Sequence, residues 1–132
     1  MTILGVYKDS SRMKEYIIHT TVYNSWLKSL TISNTLSQQL YKTTEETIQL
    51  LLAHIKSFLG QINGLCKYKK KRCKYYFTNK CKTQIEPYLN NMINICNSEK
   101  ITYSQKKNKM RHELTKMHMT SYNACSRYSR VY

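Results

Sequence analysis

The chain is poor in the residues that build tight backbone turns and phosphate cradles. Three glycines and one proline are spread over 132 residues. Gly5, Gly60 and Gly64 are too few and too far apart for a glycine-rich loop, which excludes the P-loop and the dinucleotide fingerprint. Acid is scarce too: one Asp and six Glu. The only adjacent carboxylates, Glu45 and Glu46, would point to different faces of a helix. They suit a helix start better than acid/base chemistry. No G-x-S-x-G stretch occurs. A Cys/His nucleophile drawn from Cys96 or Cys125 with His112 or His118 has no local support. These absences put enzymes last among the function classes.

Long apolar runs are missing as well. The longest aliphatic stretch is Leu50 to Ala53, far short of the roughly 20 residues of a membrane span. The opening MTILGVYKDSSRMKEY lacks a basic segment followed by an apolar one, so no secretory leader is expected. The expected compartment is therefore intracellular and reducing, with the five cysteines as thiols. Cys66, Cys73, Cys81 and Cys96 leave gaps of six, seven and fourteen residues. Structural zinc prefers gaps of about two to four, so no metal and no cofactor is expected. HELTKMH, from His112 to His118, spaces its histidines six apart, where zinc-binding helices need four.

Ala and Val are rare at two and three copies, while Lys, Asn, Ile, Thr, Ser and Tyr abound. An AT-rich genome gives this pattern, as in a compact virus. A young or overlapping reading frame under weak selection gives it too. In that case part of the charge is mutational.

What the chain has is positive charge, and it is uneven. The net is +15. Residues 1–60 hold six basic and four acidic side chains, whereas residues 61–132 hold sixteen and three. Such asymmetry points to a polyanionic partner for the C-terminal half. The densest stretch is CKYKKKRCKYYFTNKC, Cys66 to Cys81, with seven Lys or Arg and no acid. Lys67, Lys69, Lys70, Lys71, Arg72 and Lys74 lie beside Tyr68, Tyr75, Tyr76 and Phe77. Cations displace counterions from phosphates, and aromatic rings stack on unpaired bases. The expected nucleic-acid contacts are therefore Lys67, Lys69, Lys70, Lys71, Arg72, Lys74, Tyr75, Tyr76 and Phe77. Only five of the cations are Arg, the side chain that reads bases by paired hydrogen bonds. Binding would be backbone-dominated and of low specificity, with RNA or single strands favoured.

Three other readings compete. KKKR is also a nuclear-import address, and a nuclear location is favoured over a cytoplasmic one. An acidic protein or an anionic lipid surface would attract the same charge. A small host-directed interaction protein would use an apolar helix face with Met110, Leu114 and Met117.

The expected fold is mostly α: one domain, 1–132, of three to five helices. TTEETIQLLLAHIKSFLGQING predicts a helix over 44–63, with Thr43 and Glu46 as a capping box. Its stripe is Ile48, Leu51, Leu52, Ile55, Leu59 and Ile62. Asn63-Gly64 suits a left-handed C-terminal cap. Residues 66–82 form a basic connecting segment. A second helix is expected with Pro87 at its first position and Leu89, Met92, Ile93 and Cys96 on one face, ending at Asn97-Ser98. Residues 104–132 predict a basic amphipathic helix and tail. The N-terminal third is ambiguous. Met13, Tyr16, Ile17, Thr20, Tyr23, Leu27 and Leu30 follow helical steps, yet YIIHTTVY favours strands. Helix is preferred, with a separate short helix over SNTLSQQLYK.

Overall fold

The computed structural model describes residues 10–64 and 81–129, with side chains over 22–64 and 81–127. Among them the chain forms four helices and no strand: α1 (Ser10–Lys42), α2 (Ile48–Gly64), α3 (Thr83–Asn97) and α4 (Tyr103–Ser129). Each packs on its chain neighbours, and α1 closes the ring against α4. Thr43, just past α1, meets Tyr103 at the start of α4, so these two helices run antiparallel. The connections 43–47 and 98–102 are short and lie together at one end. This is an up-down-up-down four-helix bundle.

α1 resolves the ambiguity of the N-terminal third in favour of helix. It also joins two segments that pattern alone separates. No glycine or proline interrupts its 33 residues, so nothing ends it near Leu30. Its mid-helix hydroxyls turn back onto the preceding turn: Ser29 Oγ donates to Ser25 O (3.1 Å), Thr31 Oγ1 to Leu27 O (3.0 Å) and Ser33 Oγ to Leu30 O (2.9 Å). The buried face differs from the expected one. Leu27 is 42% exposed, while Ser25, Ser29 and Ser33 are buried beside Trp26, Ile32, Leu36 and Leu40. Small side chains let a neighbouring backbone approach closely, and packing then overrides hydrophobicity.

The start of α2 also departs from expectation. Thr43 Oγ1 donates back to Gln39 O at 2.7 Å. The reciprocal pair is instead Thr44 and Thr47, with Thr44 N–H donating to Thr47 Oγ1 at 2.8 Å. Glu45 and Glu46 sit in the turn before the helix. At the other end α2 continues through Asn63-Gly64, and no described residue has positive φ. The left-handed cap is therefore not formed. The predicted stripe is otherwise the buried one, with Leu59 half-covered.

α3 begins a turn earlier than Pro87 suggests. Cys81 and Lys82 already follow a wide π-type turn, and Pro87 lies inside the helix. The driving force is burial: Cys81 and Ile85 are fully enclosed and extend the Leu89, Met92, Cys96 stripe backwards. Lys82 and Glu86 add an i,i+4 ion pair at 3.5 Å. The helix ends at Asn97, where Ser98 is extended and its N–H reaches Ile95 O.

α4 is capped by Thr102 and Gln105. Thr102 N–H donates to Gln105 Oε1 (2.9 Å), and Gln105 N–H to Thr102 Oγ1 (3.2 Å). Met110, Leu114, Met117 and Ser121 form its buried stripe. Two of its lysines cap other helices. Lys106 Nζ donates to Cys96 O at 2.9 Å, and Lys107 Nζ to Thr43 O at 3.1 Å and Tyr41 O at 3.4 Å. The Tyr103 hydroxyl shares Thr43 O. Cations are favoured at these carbonyl-rich ends. Lys107→Met is thus expected to cost about 1 kcal/mol, while Lys109→Met at an exposed site should stay within about 0.5 kcal/mol. Urea midpoints of the two variants check this; equal midpoints would refute the capping role.

Candidate functional site

The nine contacts expected from sequence, Lys67 to Phe77, lie outside the described residues. The bundle carries the two ends of their segment. α2 closes at Gly64, away from the short connections, and the turn leading into α3 begins at Cys81, whose Sγ lies 3.5 Å from Ser29 Oγ in α1. The sixteen residues 65–80 hold seven of the twenty-two basic side chains and no acid.

The charge on α4 divides by task. Lys106 and Lys107 are spent on helix ends. Lys116 lies 3.8 Å from Glu113, an i,i+3 pair. Arg111 is exposed, with one hydrogen bond to Asn108 Oδ1 at 3.3 Å. The histidines of HELTKMH face opposite flanks. His112 borders a shallow groove toward α3 with Asn91 and Asn94. His118 turns toward α1, its Nδ1 3.4 Å from Ser33 Oγ. No group of three or more metal-ligating side chains comes together among the described residues.

The three described thiols, Cys81, Cys96 and Cys125, are buried in the core. Cys96 Sγ contacts Met110 Sδ at 3.3 Å. Burial pushes its thiol pKa up, partly offset by Lys106. Burial raises Cys125 likewise. Both are protonated at neutral pH, and no histidine is hydrogen-bonded to either among the described residues. Met110, Leu114 and Met117 are buried in the core, so they do not form the exposed apolar face that the interaction reading expected of them.

A groove of about 450 Å³ runs between α1 and α4. α1 lines it with Asn34, Ser37, Leu40 and Tyr41; α4 with Arg111, Leu114, Thr115, His118 and Met119. Tyr41 is 80% exposed and Met119 56%. One turn past His118, Tyr122 stacks on its ring at 6.3 Å between centroids and 12° between planes. Sequence reasoning passed over this groove. Tyr41 and Met119 each fall just off an apolar stripe, and 78 residues separate them, so no local window pairs them.

No described helix is long and apolar enough to cross a membrane. No protein-family model matches the sequence, and comparisons with curated proteins and with solved structures find no match either.

Proposed function

We propose that the protein binds nucleic acid without catalysis and with low sequence specificity, RNA or single strands being favoured. Lys67, Lys69, Lys70, Lys71, Arg72 and Lys74 supply phosphate contacts; Tyr75, Tyr76 and Phe77 supply stacking. The observation that carries the reading is the concentration of cations without any carboxylate in residues 65–80. In the bundle, by contrast, several lysines already have intramolecular partners. A role as a viral accessory or packaging component, and entry into the nucleus through KKKR, belong to the same proposal.

The test is fluorescence anisotropy of labelled single-stranded RNA across salt concentrations. For single strands the log–log salt slope is about −0.7 per phosphate neutralised. Removing four cations in Lys69→Ala, Lys70→Ala, Lys71→Ala, Arg72→Ala should flatten that slope by roughly 3. Binding should persist near about 150 mM salt in the wild type and be lost in the variant. Equal slopes in both proteins would overturn the reading. A variant changed only in cellular location would leave KKKR as an import address on an interaction protein.

A further inference from the structure

We infer that the α1–α4 face of the bundle is a second contact surface for single-stranded nucleic acid, with Tyr41 and Tyr122 as stacking platforms and Arg111 as a phosphate partner between them. The inference rests on the proposed function and adds a site far from the basic run in sequence.

Three observations converge on this face. The first is charge. Between Val22 and Lys42, α1 has no acidic residue. The sole acid of α4 is Glu113, two positions from Arg111 and about 200° around the helix. Glu113 engages Lys116 and Asn91, on the side facing α3. Among the described residues neither Arg111 nor Lys42 is in an ion pair with a carboxylate, and Lys42 borders an adjoining hollow with Ser37 and Tyr41.

The second is aromatic exposure. Five large apolar side chains are exposed among the described residues. Four belong to α1 and α4: Leu27, Tyr41, Met119 and Tyr122. Leu27, Asn34 and Tyr41 follow at seven-residue steps and share one side of α1. Arg111, Thr115, His118 and Tyr122 follow at steps of four, three and four and share one side of α4. Tyr41 stands 80% exposed, and Tyr122, stacked by one side on His118, is 56% exposed. Base–aromatic stacking uses them and tolerates any sequence.

The third is shape. Arg111 and Tyr122 are eleven positions apart, about 16 Å along the helix. The groove between the helices has room for a planar group, and Asn34, Ser37 and Thr115 supply hydrogen-bonding edges along it. That length accommodates a few nucleotides. Unpaired bases are required, since a duplex hides the faces the rings would stack on.

The experiment uses the full chain with fluorescein-labelled oligo-U and a matched duplex. Variants are Tyr41→Ala with Tyr122→Ala, Arg111→Ala alone, and the four-cation variant. Exposed Tyr41 and Tyr122 can be removed without opening the core, which circular dichroism verifies. The double tyrosine variant is expected to bind oligo-U roughly tenfold more weakly, with the salt slope unchanged. Duplex binding should not move. Arg111→Ala should reduce the slope by about 0.7. Unchanged oligo-U affinity in the double variant would overturn the inference and leave the face to a protein partner. The proposed function would still stand on the slope of the four-cation variant. An equal loss on duplex and oligo-U would overturn stacking. No oligo-U binding by the wild type would overturn both proposals.

Discussion

Leu89→Ala is expected to destabilise the bundle by about 2–5 kcal/mol, while Leu50→Ala should change stability by less than about 0.5 kcal/mol. The two residues are chemically identical. Leu89 has no exposed surface at the centre of α3, between α2 and α4. Leu50 is 65% exposed on the outer side of α2. Truncating Leu89 removes buried methyl groups and leaves a cavity that the flanking Ile85 and Met92 cannot fill without moving. Leu50 has little burial to lose. A native domain holds only about 5–15 kcal/mol in total, so the Leu89 variant should lose on the order of 10 °C in Tm. Urea denaturation followed at 222 nm compares them. Similar costs at both positions would show that the inward faces of α2 and α3 are misassigned.

Trp26 offers a sharper contrast. It is the chain's only tryptophan and is 1% exposed. Its ring fills the bundle beside a row of small serines. Its Nε1–H, however, has no hydrogen-bond partner among the described residues. Trp26→Ala should cost about 3–5 kcal/mol, the usual range for emptying a large aromatic site. Trp26→Phe should cost far less, about 1 kcal/mol or below, because it removes an unpaired donor together with part of the ring. The unpaired group carries a desolvation penalty of about 1–3 kcal/mol, which offsets the lost apolar contact. Chemical denaturation of the three proteins measures both differences. If Trp26→Phe proves as damaging as Trp26→Ala, the indole N–H has a partner after all, a buried water being the obvious one. The sole tryptophan also makes wild-type fluorescence a local probe: emission should be blue-shifted in the native state and move red on unfolding.

α2 shows how far local pattern reaches. Its stripe recurs at steps of three and four over four turns, and all of the residues so chosen except the half-covered Leu59 are buried. The same holds for Leu89, Met92 and Cys96 in α3, and for Met110, Leu114 and Met117 in α4. Ile93, expected on the α3 stripe, is only half-covered. Helix ends were less legible. Threonines at 43, 44 and 47 all have capping chemistry, and which of them pairs depends on where α1 stops. Thr102 and Gln105 had the spacing of a capping box in plain sight, Thr102 standing two positions before the expected start at Ser104. Pro87 misled because a proline near a helix start usually marks its first residue; the core contact of Cys81 and Ile85 pulled the start back.

The candidate interface divides along the same line. The acid-free run from Lys67 to Phe77 is visible in sequence because charge and residue type are local properties. The α1–α4 groove is not, since its two walls come from opposite ends of the chain.

By itself the amino-acid sequence determined the helical class, the inward faces of three helices and the uneven charge. All three follow from periodicity and composition within a single turn or segment. Only the tertiary structure decided that α1 is one helix, and that it buries serines and exposes Leu27. It alone turned Lys106 and Lys107 into caps and brought Tyr41 within one groove of Arg111 and Met119. The physical reason is that these outcomes depend on what another helix places against the residue. A small side chain is buried when a distant backbone comes close, and a lysine becomes a cap when a distant carbonyl end arrives beside it.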